Sequence, residues 1–188
     1  VTIASRNATK LEIAKPKEEK INLKVLDLDA TDEDAMRALF ASGVKYNGCI
    51  FCSTIRPMTE FLNSDIEKWR LSVLHNSTSL YLSNLLAAEH MKSNKGGSII
   101  NVSSIYGIRA PDPNIYIGTE MGTEPDYPFL KGGMIALTNY MAVMYGKSGV
   151  RFNCIAPGGL EGDQPNIFKQ RYRSKVPLDR MMQCSDLI

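Results

Sequence analysis

Apolar positions along the chain follow two rhythms. Short apolar runs recur at VTIAS (1–5), LKVLDL (23–28), GCIFCS (48–53), GSIINVS (97–103) and VRFNCIA (150–156). They are apolar throughout rather than alternating, as strands covered on both faces are. Helical patterns lie between them. ATKLEIA (8–14) reads as a helix disturbed by Pro16. Thr31 reads as an N-cap, followed by acids in a first turn, an apolar face of Met36, Leu39 and Phe40, and a closing Gly43. A long helical pattern runs from about Asp65 to Lys92, with Trp69, Val73, Tyr81, Leu85 and Met91 among its apolar positions. A second runs from Tyr127 to around Lys147. Residues 105–126 are irregular, with Pro111, Pro113 and Pro125, and the tail, 160–188, reads as loop plus a short basic helix.

Strands alternating with helices predict an α/β fold: a doubly wound parallel sheet in three αβα layers, within one domain of 188 residues. Ligands of such sheets sit beyond the carboxyl ends of the strands. That rule singles out Ser5 and Arg6, Asp29, Ser53 and Thr54, Ser103 and Ser104, and Pro157 and Gly158.

Composition narrows the partners. The net charge of +2 points to neither nucleic acid nor an anionic membrane. No apolar run reaches the roughly 18 residues of a membrane span. No basic segment precedes an apolar one at Val1, so no signal peptide is expected and the reading is cytoplasmic. Cys49-x-x-Cys52 has the spacing of a redox or metal pair, but on a strand residues i and i+3 face opposite ways. With no second Cys or His pair to complete a site, no metal is expected, and His75 and His90 read as helix surface or packing residues.

Within PDYPFLKGG (125–133), Tyr127 and Lys131 share a helix face one turn apart. Pro128 is compatible with a helix's first turn, where its missing N–H is harmless. An unperturbed tyrosine, at a pKa of about 10, is a poor acid/base near neutrality. A neighbouring ammonium favours the phenolate and corrects this.

GGSIINVSSIYG, YPFLKGGMIALT and VRFNCIAPGG, in this order, resemble the short-chain dehydrogenase/reductase family across nearly the whole chain. The resemblance implies a catalytic set of Asn76, Ser104, Tyr127 and Lys131. Tyr127 is the acid/base, Lys131 its tuner and a ligand of the nicotinamide ribose, Ser104 the holder of the substrate oxygen, and Asn76 the anchor of a relay water. It implies a nicotinamide cofactor, NADP or NAD, contacted by Ser5, Arg6, Asp29, Ser53, Thr54, Tyr127, Lys131, Pro157, Gly158 and Leu160. Ser5 stands where an acid favours NAD, and Arg6, which follows it, can bond a 2′-phosphate, which leans towards NADP. Asp29 matches the acid that bonds the adenine, with turn chemistry as its competing role. The family's helices at 65–92 and 127–147 pair with symmetry mates, so a homodimer or homotetramer is expected.

Departures are informative. FCST (51–54) replaces an Asn-Asn-Ala-Gly, and Gly162 stands where a threonine is common. The family's first strand, with its glycine-rich turn, and its last strand have no counterpart, so the sequence reads as an internal portion of a longer protein. The 23 residues from Ser104 to Tyr127 exceed the family's usual interval. The stretch 105–126, with APDPNIYIGTEM and the later PGGLEGDQP, resembles the bacterial flagellin-modification and nonulosonic-acid subgroup. There it implies an insertion over the active site, with Arg109, Tyr116 and Glu120 as contacts for a polar sugar; a structural lid is the alternative. The leading expectation is an oxidoreductase acting on a small polar substrate, a sugar or its derivative. FCST and the missing glycine loop leave open a non-catalytic assembly partner, and a flavodoxin-like regulatory domain is a third reading.

Overall fold

The computed structural model describes residues 1–6, 24–58 and 65–187. The helix expected at 8–14 lies outside them. The elements are β1 (Thr2–Ser5), β2 (Lys24–Asp27), α1 (Glu33–Ala41), β3 (Gly48–Phe51), α2 (Ile66–Ser93), β4 (Gly97–Val102), α3 (Asp126–Tyr145), β5 (Val150–Ile155) and α4 (Asn166–Arg173). All strand pairs are parallel, and the strands are flanked by helices, as the alternation predicts. The strands fall into two sheets, β1–β2 and β3–β4–β5. Among the described residues no strand pairs with the second edge of β1 or of β3, where the family resemblance expects its first strand.

Helix α1 packs on α2 and α2 on α3. The main core lies between α2, α3 and the sheet, where Ala87, Ala88 and Met91 meet Ile99, Met141, Val150 and Phe152. Met36 of α1 joins Leu82 and Leu86 in a second cluster. Strand β3 departs from the fully buried reading. Phe51 is buried with Leu80 and Met134, and Cys49 borders the main core, but Ile50 is 69% exposed. The period of two explains it: Cys49 and Phe51 turn to the helices and Ile50 to the other face. The N-cap of α1 is Asp32, whose side chain accepts from Ala35 N–H at 3.0 Å. Thr31, the expected cap, is taken up by Asp29.

A buried polar cluster ties three elements together. Asn101 of β4 exchanges amide hydrogen bonds with Asn84 of α2 at 2.8 and 3.0 Å and donates to Thr138 of α3 at 2.9 Å. Every member is satisfied, so the cluster orders the helices on β4 without leaving a buried polar group unpaired. Gly96, at φ +98°, lets the α2–β4 turn press against the α3–β5 turn: a Cβ there would lie 2.4 Å from the Gly149 carbonyl oxygen.

Candidate active site

Strand β4 ends at Val102 and delivers Ser103 and Ser104 beside the first turns of α3. Two hydrogen bonds lace them together. Ser103 Oγ donates to the Lys131 carbonyl at 2.7 Å, and Lys131 Nζ donates to the Val102 carbonyl at 2.8 Å. Gly107 permits this approach, since a Cβ there would stand 2.7 Å from the Lys131 carbonyl group. The lacing separates the two serines. Ser103 has spent its only proton on α3, whereas Ser104 Oγ accepts from Tyr106 N–H at 3.2 Å and keeps its proton to donate. The geometry therefore favours Ser104 as the serine that can hold a substrate oxygen.

Helix α3 starts at Asp126, with Pro125 at the cap and Pro128 in the first turn, where the sequence places them. Lys131 is only 5% exposed, and its Nζ lies 5.7 Å from the Tyr127 ring centroid. Burial pulls its pKa below the ordinary lysine value, with the neighbouring Cys52 and Cys154 acting weakly the other way.

A second cation, which sequence reasoning missed, lies closer to the tyrosine. Arg56, in the loop after β3, stands over the Tyr127 ring 4.9 Å from its centroid and is ion-paired to the buried Glu124. The available signal was a cation just beyond a strand's carboxyl end in FCSTIRP, with an acid shortly before the tyrosine.

Asn76 also has a more specific position than expected. Its Oδ1 accepts from Ile55 N–H at 2.8 Å and from Thr54 Oγ1 at 3.3 Å; its Nδ2 donates to the Ile55 carbonyl at 3.0 Å and to Ser72 Oγ at 3.2 Å. Both donors and both acceptor sites are occupied, so the side chain clamps the loop after β3. Ser72 in turn donates to Asp126. Neither Ser72 nor Asp126 stood out in the sequence.

Ser53, Thr54, Asn76 and Lys131 line one cavity of about 260 Å³ between α2 and α3. In the two-stranded sheet, Arg6 is exposed at the end of β1, and its charge acts on Asp29, beyond the neighbouring strand β2. Asp29 Oδ1 accepts from Thr31 N–H at 2.9 Å and from Thr31 Oγ1 at 2.8 Å, the turn role weighed for it. The backbone bond is the main cause holding its carboxyl below the usual range; the Thr31 hydroxyl, His75 and Arg6 add to it. Ser5 is half-buried, and its carbonyl accepts from Leu28 N–H at 3.1 Å. The Pro157 carbonyl accepts from Ile105 N–H at 3.0 Å, tying the loop after β5 to the one after β4. Gly158 lies against the Tyr172 hydroxyl, and Leu160 is exposed and bridged to Met182.

The stretch 105–126 is packed structure rather than open loop. It forms short 3-10 turns at Ile105–Gly107 and Pro113–Ile115, and Ile115 packs with Phe168, Tyr172 and Met181. The Tyr116 hydroxyl bonds Tyr106 at 2.7 Å and Thr123 at 2.8 Å, and its ring lies 5.3 Å from that of Phe168. Arg109 and Glu120 are exposed. Among the described residues no cluster of His, Cys, Asp or Glu could hold a metal ion, and no helix is long and apolar enough to cross a membrane.

Parallel strands flanked by helices, with a tyrosine–lysine turn laced to the end of a strand, place the molecule among Rossmann-like α/β proteins. Residues 1–187 match the family described as enoyl-(acyl carrier protein) reductase. The chain belongs to the short-chain dehydrogenase/reductase family. It is 31% identical over 185 residues to a 7alpha-hydroxysteroid dehydrogenase of Paraclostridium sordellii, covering 92% of this chain and 66% of that one. It is 31% identical over 116 residues to post-translational flagellin modification protein A of Campylobacter coli, covering 59% of this chain and 45% of that one. A crystal structure of a short chain dehydrogenase from Leptospira borgpetersenii with bound NAD+ matches with a TM-score of 0.82 at 26% identity, covering 99% of this chain and 81% of that one. The chain thus spans about half to two thirds of the length of these curated relatives.

Proposed function

We propose that the whole protein is an NAD(P)-dependent oxidoreductase that interconverts the carbonyl and alcohol of a small polar substrate, a sugar or sugar derivative. The observation that carries this reading is the lacing of Lys131 to Ser103 and Val102. It brings the tyrosine–lysine turn to the strand end from which Ser104 has a proton to donate. The nicotinamide, when bound, supplies or accepts the hydride. Tyr127 gives or takes the proton at the substrate oxygen, Ser104 steadies that oxygen as charge develops, and the Lys131 ammonium favours the phenolate form of Tyr127. Asn76 serves by clamping the loop after β3.

The residues present fit such a cofactor at both ends. Ser53, Thr54 and Lys131 give its nicotinamide side small residues and a buried cation, and Arg6 beside Asp29 offers an exposed cation for a 2′-phosphate, favouring NADP. The insertion motifs shared with the flagellin-modification subgroup support a sugar, with Arg109, Tyr116 and Glu120 as candidate contacts; Tyr116 would have to give up an internal bond to make one. The protein is proposed to be cytoplasmic and a homodimer or homotetramer. Leu71 and Leu74 on α2, and Tyr140, Val143 and Met144 on α3, are exposed apolar side chains that a symmetry mate would cover.

The test uses the full-length protein with NADPH and NADH against a panel of keto sugars, comparing it with Tyr127→Phe. Turnover in the parent that falls by a factor on the order of 100 or more in the variant, with cofactor still bound, supports the reading. Binding of neither cofactor, with no turnover, supports the assembly-partner alternative. Phe51 is the observation in favour of that alternative, since it fills the core where the family has a bracing asparagine.

A further inference from the structure

We propose that Asp126 is a positioning residue that, through Ser72 and Asn76, sets the loop after β3 in register with Tyr127. The inference rests on the proposed dehydrogenase reading. Asp126 is 3% exposed and adjoins Tyr127 at the start of α3. Its carboxylate accepts the Ser72 hydroxyl, and Ser72 is fully buried on α2. Having donated its single proton, Ser72 presents only lone pairs to Asn76, one turn further along α2.

The Ile55 backbone gives the amide of Asn76 one orientation, and the Ser72 lone pairs match it. Its NH2 group must face Ser72, at 3.2 Å, and the Ile55 carbonyl, at 3.0 Å. Its oxygen must face Ile55 N–H and Thr54. The Asp126 carboxylate, which only accepts, thus orients Ser72 so that it completes the chain of hydrogen bonds running from α3 through Ser72 and Asn76 of α2 to the loop that carries Ser53 and Thr54. Reversing the amide would turn its oxygen towards the Ser72 lone pairs and its NH2 towards Ile55 N–H. The bridge links Asp126, the chain neighbour of Tyr127, to a wall of the cavity lined by Ser53, Thr54, Asn76 and Lys131. Distances at such a site govern rate strongly, so a bridge that fixes them acts on turnover while touching no reactant.

The experiment uses the full-length protein with Asp126→Leu, Asp126→Asn and Ser72→Ala, Ser72→Ala serving also if the leucine variant fails to fold. Two readouts are taken: hydrogen exchange at the Ile55 amide, and kcat with its primary isotope effect from C4-deuterated reduced cofactor. Asp126→Leu and Ser72→Ala are expected to speed Ile55 exchange by about tenfold, the scale of one lost charge-assisted hydrogen bond. The same variants should lower kcat by at least about tenfold and raise the isotope effect, while KM changes little. Asp126→Asn keeps an acceptor for Ser72 and should stay close to the parent in both readouts. A merely structural role would reduce the active fraction and leave the isotope effect of the surviving enzyme unchanged, and that result overturns the proposal. Parent-like Ile55 exchange in folded Asp126→Leu or Ser72→Ala overturns it as well. A parent without turnover on any substrate counts against the dehydrogenase reading, and Ile55 exchange then decides the bridge on its own.

Discussion

The guanidinium of Arg56 stands 4.9 Å from the centre of the Tyr127 ring, nearer than the Lys131 ammonium at 5.7 Å, and the buried Glu124 carboxylate holds it there. Two cations from different elements thus flank one phenol. The arginine is half-exposed, but its partner is not, so Arg56→Ala leaves a buried carboxylate without its ion pair. That should destabilise the protein by about 1–3 kcal/mol. Adding Glu124→Gln should recover most of the loss. The check is thermal unfolding of the single and double variants; an additive double variant would show that the pair does not couple.

Lys131→Met keeps the apolar stem and removes the ammonium. Turnover should fall by roughly two orders of magnitude or more, with weaker cofactor binding. Because burial lowers the pKa of Lys131, the folded protein binds fewer protons than the unfolded chain between the lowered value and 10.5. The contribution of this group to stability therefore rises with pH across that window and is lost as pH falls through the folded value. The unfolding temperature of the parent, relative to Lys131→Met, should climb between pH 7 and pH 10. A constant difference would contradict the assignment of a lowered pKa.

Arg6→Ala should weaken NADP binding about tenfold and change NAD binding less, as expected for loss of one charge-assisted contact to the 2′-phosphate. The ratio of the two dissociation constants is the measurement. An unchanged ratio would show that Arg6 does not read the phosphate.

Val143 is 80% exposed on α3 and Leu74 is 70% exposed on α2. Light scattering at micromolar concentration should give a dimer or tetramer for the full-length protein. Val143→Asp or Leu74→Asp should shift it towards monomer, because a buried charge without a partner costs an interface several kcal/mol. A parent that is already monomeric would remove the oligomer from the proposed function.

Cys49 is half-buried, and burial, with the neighbouring Cys52 a lesser cause, pushes its thiol up to about 11; Cys52 is exposed. Iodoacetamide at pH 8 should therefore modify Cys52 at least about tenfold faster than Cys49, as read by peptide mass spectrometry. Equal rates would mean that the two do not lie on opposite faces of the β3 segment.

Among the described residues, the sequence by itself determined the strands and main helices, their parallel arrangement and the positions of Ser104, Tyr127 and Lys131 at a strand end and a helix start. These signals are local: the apolar runs of the strands, the turn-to-turn spacing of a tyrosine and a lysine, and a proline that only a first turn tolerates. Partners distant in the chain were not legible. Arg56 and Glu124 are 68 residues apart and Ser72 and Asp126 are 54 apart, so only the packing of α2, α3 and the loop after β3 brings each pair together. Tertiary structure also decided between residues that look alike in sequence. It occupied the Ser103 proton and left that of Ser104, made Asp32 rather than Thr31 the helix cap, and saturated the Asn76 amide. A hydrogen-bonding group has few donors and acceptors, and which neighbours claim them is settled only when the chain is folded.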